Sequence, residues 1–252
     1  MERLGEEIVS ALTPTEIFNI NLFGIRISIT DTVISMWIAM ALIIGVVIFL
    51  TRSFKTIPEG RQNVVEIAVE FINNFTQDTI GHHWKTFAPF IGTLLFFLVT
   101  ANIISIFNFI PTGETLYRIT GNESFANWPK YSIRPPAKDV NVPFALATVT
   151  TFFIIYGAIK FKKVSGWLKS FVQPIPILLP LNIMEYFIRI LSLSFRLFGN
   201  ILGAFIIMEL IYMVVPLALP AALSIYFDLF DGALQAYIFV YLSTFYIAEA
   251  VE

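Results

Sequence analysis

The sequence predicts an all-α membrane protein with about five transmembrane helices and one amphipathic helix on the membrane surface. Of its 252 residues, 57% are hydrophobic and 13% are charged, whereas soluble domains carry about 25% charged residues. The mean hydropathy is +0.77. The apolar residues form runs close to the roughly 20 residues that a helix needs to cross a bilayer. We therefore expect a single membrane domain over residues 1–252.

Three of the apolar runs have the length of ordinary spans. They cover residues 32–50, 87–110 and 142–159. Between the first two, the segment 59–80 places apolar residues such as Val64, Ile67 and Phe71 at helical spacing, with charged and amide side chains on the other faces. This pattern is typical of a helix that lies in the membrane interface.

The basic residues predict the orientation. Clusters at 52–61 and 160–169 flank the spans and are expected on the cytoplasmic side. The segment 1–31, which lacks the order of a signal peptide, and the polar loop 111–141 are then external, and the C-terminus is cytoplasmic. The loop also holds four basic residues, which count against this orientation: Arg118, Lys130, Arg134 and Lys138.

The last two apolar helices are longer than a bilayer requires. The segment 181–215 has 35 residues without proline, which corresponds to about 52 Å of helix against a hydrocarbon core of about 30 Å. The last helix is expected over 221–248. Both should run obliquely, and an oblique helical hairpin packs well against a cylindrical partner.

A polar stripe along the helix at 181–215 surrounds Arg196. An ionisable group inside a span is costly and marks an ion or substrate path in most membrane proteins. The residues within about 40° of Arg196 on a helical wheel are Asn182, Glu185, Arg189, Ser192, Asn200 and Gly203.

Two alternatives bear on this stripe. Arg196 could pair with an acid to hold helices together, but the acids on its own helix, Glu185 and Glu209, are 11 and 13 residues away. A partner would then lie on another helix or another chain. Glu185 and Arg189 are four residues apart and could pair with each other. The glycines at 199 and 203 allow close approach of a helix, either of this chain or of a partner.

The last helix carries a second polar stripe. Asp228 and Asp231 each fall within about 40° of Gln235 on an α-helical wheel, which indicates a hydrated path or a proton relay. For Asp228, a solvated position at the outer interface is an equal alternative. The chain has no cysteine and no phosphate-binding loop, zinc motif or serine triad, so we expect no cofactor and no metal.

Several motifs resemble those of subunit a of the F-type ATP synthases. The segment 191–200 (LSLSFRLFGN) is similar to the signature of that family, and 234–239 (LQAYIF) is similar to its last-helix motif. The segment 139–142 (DVNV) and the residues Asn102 and Pro111 also match, so the resemblance runs in order over nearly the whole chain.

The resemblance implies an ion-translocating subunit that is not an enzyme on its own. It would lie beside a rotating c-subunit ring and offer two offset half-channels for H⁺ (or Na⁺). Arg196 would separate the half-channels, with Gln235 and Asp228 at family positions. Where some relatives have a glutamate, this chain has Phe205, and Glu209 is a candidate to replace it.

The implied partners are the c-ring, b-type peripheral stalk subunits, the soluble ATPase head indirectly and the lipid bilayer, with no nucleic acid. The implied location is an energy-coupling membrane, the bacterial inner membrane. The alternative functions are a secondary ion-coupled transporter, which usually shows an internal repeat, and an intramembrane enzyme. We find no internal repeat in the sequence, and Asp228 and Asp231 are its only close pair of acids within a span.

Overall fold

The computed structural model describes residues 16–22, 25–52, 59–104, 135–173, 175–214, 223 and 225–252. Within them, five helical segments are long and apolar enough to cross a membrane. The prediction of an all-α membrane protein with about five such helices is confirmed. Residues 1–15, the predicted second span beyond 104, most of the predicted loop 111–141 and most of 215–224 lie outside the described residues.

The six principal helices follow one another along the chain. They are α1 (Asp31–Thr51), α2 (Arg61–Ile80), α3 (Trp84–Ile103), α4 (Asn141–Ser170), α5 (Leu179–Val214) and α6 (Gly232–Val251). Short 3-10 turns occupy Gly81–His83, Pro136–Lys138 and Pro176–Leu178, and a π-helix at Ile225–Asp231 leads directly into α6.

A β-hairpin that was not predicted from the sequence precedes α1. Strands β1 (Glu16–Leu22) and β2 (Ile25–Thr30) pair antiparallel, with Asn19 opposite Ser28. The alternation of apolar and polar residues over 25–30 is the pattern of a half-buried strand. It is only six residues long and was overlooked beside the much stronger helical signals.

Helix α2 is joined to α3 by a tight turn at Gly81, whose φ of 68° lies in the left-handed region that glycine adopts without strain. One side of α2 packs on α3 and α6, where Ile72 and Thr76 are buried. Its apolar residues Val64 and Ile67 remain exposed, as lipid contact requires. The location of α2 at the membrane surface stays a prediction.

Helix α4 extends beyond the predicted end of the third span at 159. It continues to Ser170, but Lys163 has a φ of 63° and a ψ of 163°, so the backbone breaks there. The break redirects the segment after Lys163 toward the start of α5, where Trp167 donates a hydrogen bond to the hydroxyl of Tyr186 at 3.2 Å.

The core lies where α3, α4, α5 and α6 meet. Phe87, Ile154, Leu197 and Phe239 are almost fully buried within one apolar cluster. Gly157 allows the close approach of these helices, because a Cβ there would lie 2.8 Å from Cζ of Phe87 and 3.0 Å from Cγ1 of Val251.

Substitution of Gly157 by alanine should therefore destabilise the folded subunit by about 1–3 kcal/mol, the usual cost of overpacking a core. The measurement is the midpoint of thermal unfolding in detergent. Gly45→Ala is the matched control, since no atom of the described residues lies within 4 Å of a Cβ at that position. Equal midpoints for the two variants would contradict the prediction.

Candidate functional site

Two polar contacts join α5, in antiparallel order, to α6 and to the π-helix that leads into it. The amide of Asn200 donates a hydrogen bond to Oδ2 of Asp231 at 2.6 Å. Toward the other end, Nη2 of Arg189 donates to Oε2 of Glu249 at 2.8 Å. Arg196 lies between these two contacts along α5. The two helices are thus held together on both sides of Arg196.

Arg196 is exposed on the surface of the chain and makes no hydrogen bond or ion pair with any described residue. Helix α5 is nonetheless packed against the rest of the chain at this point, because the neighbouring Leu193, Ser194 and Leu197 are buried. A charge in an apolar helix needs water or an opposite charge nearby. No acid of the described residues forms an ion pair with Arg196, so the alternative that Arg196 pairs inside this chain is not supported.

The side of α5 around Arg196 is open. No described atom lies within 4 Å of the position that a Cβ would take at Gly199 or Gly203, and the apolar side chains of Ile188 and Phe195 are exposed. We call this surface, formed by Ile188, Phe195, Arg196, Gly199 and Gly203, the open face of α5. Of the two alternatives for the glycine pair, the described part of the chain does not support packing against a helix of the same chain.

Arg189 has a very different environment, although it lies only seven residues before Arg196. It is 8% exposed, and its Nη2 atom contacts both Oε1 of Glu185 at 2.5 Å and Oε2 of Glu249 at 2.8 Å. The ring of Tyr246 lies 4.7 Å from its guanidinium carbon. We call Glu185, Arg189, Tyr246 and Glu249 the Arg189 cluster.

The pairing of Glu185 with Arg189, one of the alternatives considered from the sequence, is present in the structure. Glu249 was not predicted as a site residue. Its signal in the sequence was an acid directly after the predicted last helix (221–248), but only the packing of α6 on α5 shows that it meets Arg189, 60 residues earlier.

The stripe on the last helix differs from its prediction. Residues 225–231 form a π-helix, whose hydrogen bonds join residues five apart, so an α-helical wheel does not place Asp228 correctly relative to Gln235. Single π-helical turns inside helices frequently occur at functional sites. The side chain of Asp228 lies outside the described residues, whereas Asp231 is half-buried.

Gln235 is buried, with 5% of its surface exposed. Its amide nitrogen has no hydrogen-bond partner among the described residues. A buried polar group without a partner costs about 1–3 kcal/mol. This amide is therefore available to a group outside the described residues.

Other predicted residues occupy separate positions. Ser192 is half-buried, and Asn182 donates to the carbonyl oxygen of Phe171 at 2.9 Å, so it caps the preceding turn. Glu209 lies on α5, but its side chain is outside the described residues. The ammonium of Lys138 lies 3.3 Å from the ring centroid of Phe205.

The fold and this site define a multi-pass membrane protein of the class that transports ions. The family model of the ATP synthase A chain matches residues 33–248, and the chain belongs to that family. It is a subunit of the membrane sector of ATP synthase and takes part in ATP synthesis, without being a catalytic subunit by itself. The match includes every predicted site residue and disfavours a secondary transporter and an intramembrane enzyme.

Proposed function

We propose that this chain is the ion-translocating stator subunit of a rotary ATP synthase. It provides two offset half-channels that pass H⁺ (or Na⁺) to and from the carboxylates of a rotating c-ring, and so couples ion flow to ATP synthesis. The observation that carries the proposal is the exposed guanidinium of Arg196 on the open face of α5, which pairs with no described residue. A ring of helices with one carboxylate per subunit would cover this face and supply the missing negative charge.

The charge of Arg196 explains how an ion would leave the ring. An arginine stays protonated in proteins, so it cannot carry the proton itself. A fixed positive charge favours the ionised form of a carboxyl group that comes near. A ring carboxyl group that approaches Arg196 therefore loses its ion to the exit path, while the same charge repels any cation that would pass directly. The driving force is about 2.3 kcal/mol per charge for each 100 mV.

The two half-channels would use the polar residues on either side of Arg196. Glu185, Arg189 and Ser192 precede it on α5 and belong to the cytoplasmic path in the predicted orientation. The external path would use the residues beyond Arg196 and those on the last helix, namely Asn200, Glu209, Asp228, Asp231 and Gln235. The hydrogen bond from Asn200 to Asp231 ties the two helices together beside that path.

The proposal includes the other parts of the complex and its location. The c-ring would cover the open face of α5, b-type peripheral stalk subunits would hold this chain against rotation, and the soluble ATPase head would be connected through them. The chain would lie in an energy-coupling membrane, the bacterial inner membrane, with its N-terminus outside and its C-terminus in the cytoplasm.

Purification of the tagged chain from its native membrane in a mild detergent tests this proposal. We expect a ring of small helical subunits and a soluble ATPase head to be recovered with it, because the exposed charge and glycines of α5 need a partner. An untagged strain is the control for nonspecific recovery. Recovery of the chain alone, or as a homo-oligomer, would instead be the result for a transporter.

A further inference from the structure

A polar cavity of about 230 Å³ lies beside the Arg189 cluster. It is bounded by the end of α4, the turn after α4, the first turns of α5 and the end of α6. Its charged and amide lining residues are Lys162, Gln173, Asn182, Glu185, Arg189 and Glu249. Polar cavities of this size hold water molecules.

The two carboxylates of the cluster share a single nitrogen atom of Arg189. Their side chains are 49% and 51% exposed, and no described residue bonds the second oxygen of either. Nε of Arg189, which lines the cavity, is buried and lacks a hydrogen-bond partner among the described residues. Lys162, the other cation of the lining, makes no ion pair with either carboxylate. The cluster therefore retains capacity to bind a further polar molecule or a proton.

The position of this cavity relates it to Arg196. Arg189 precedes Arg196 by seven residues, which places it about 10 Å away along α5 and within about 20° of the same face. The cavity also lies at the end of the helices where the lysines of 160–169 cluster, the end that we propose to be cytoplasmic.

We propose that Glu249 is a proton-carrying residue of the cytoplasmic half-channel, an inference that rests on the proposed function. A proton released near Arg196 reaches the water of the cavity and binds a carboxylate oxygen of Glu249, which becomes a neutral carboxyl group. Transfer of that proton to cytoplasmic water restores the carboxylate. Arg189 stays charged throughout and keeps its contact with Glu185.

The geometry favours Glu249 over Glu185 for this role. Glu185 lies one turn from Arg189 on the same helix and makes the shorter contact, at 2.5 Å. Glu249 reaches the arginine from α6 at 2.8 Å. Protonation of Glu249 thus removes one of two carboxylate partners and leaves the buried guanidinium with the other, so it is not left as an unpaired charge.

The test measures passive proton conduction through the membrane sector in vesicles after removal of the ATPase head. Glu249→Gln keeps an oxygen that accepts from Arg189 but cannot exchange a proton, and it should reduce the rate at least about tenfold. Glu252→Gln, at the exposed last residue, is the matched control and should conduct like the wild type.

Formate separates a proton-carrying role from a structural one. Glu249→Ala should conduct slowly, and millimolar formate, which fits the cavity and carries a proton, should restore at least half of the lost rate. Wild-type conduction by Glu249→Gln, no response of Glu249→Ala to formate, or conduction of Na⁺ alone would each overturn the inference. Normal conduction by the Glu249 variants, with an inactive Arg196→Lys complex, would leave the proposed function standing.

Discussion

Arg196→Lys is expected to lower coupled ATP synthesis at least about tenfold while the complex still assembles. The lysine keeps the positive charge but replaces a planar, weakly hydrated fork with a compact, strongly hydrated ammonium. On the open face of α5 the guanidinium has no partner among the described residues to fix its direction, so its interaction with an approaching carboxylate depends on its own shape and reach. Assembly should persist because the neighbouring buried residues Leu193 and Leu197 are unchanged.

The measurement is ATP synthesis and ATP-driven ion pumping by the purified complex in vesicles. Arg61→Lys is the matched control, because Arg61 is an exposed arginine on α2 that stacks on Phe49 and lies outside the candidate site. Near-normal ion pumping by Arg196→Lys would refute the role proposed for this residue.

The spans could be predicted because their signal is local. An apolar run such as that of α5 determines a helix by its own length and composition, and the structure extends it over Leu179–Val214. The π-helix before α6 was not predicted in this way, because an apolar run by itself does not distinguish a π-helix from an α-helix. The break at Lys163 was also missed, because neither glycine nor proline marks it.

The site was predictable only in part, for a related reason. Arg189 and Arg196 are both charges on one stripe of an apolar helix. The sequence indicates a local partner, Glu185, for Arg189 alone, and it does not indicate which of the two arginines meets another helix. In the structure α6 brings Glu249 and Tyr246 onto Arg189, whereas no described residue pairs with Arg196. Which arginine meets an acid of another helix depends on how α6 packs on α5, and this packing joins residues 60 positions apart. No local pattern contains that information.

Gln235→Leu should lower ATP synthesis without lowering the stability of the subunit. The side chain is buried and its amide nitrogen has no partner among the described residues. Leucine is similar in size and removes that unsatisfied group, so the stability of the subunit should be unchanged or higher by about 1–2 kcal/mol. ATP synthesis should nevertheless fall about tenfold, because the amide would no longer be available to a ring carboxyl group or to water in the half-channel.

The matched control is Thr244→Val on the same helix. Thr244 is fully buried, but its hydroxyl donates to the carbonyl oxygen of Val240 at 2.7 Å, so it is satisfied within α6. Its loss should cost some stability, about 1 kcal/mol, and leave ATP synthesis near the wild-type rate. We thus expect Gln235→Leu to lower ATP synthesis but not stability, and Thr244→Val to lower stability but not ATP synthesis. If Gln235→Leu instead lost stability and activity in proportion, the amide would be a structural group, and its place in the ion path would be refuted.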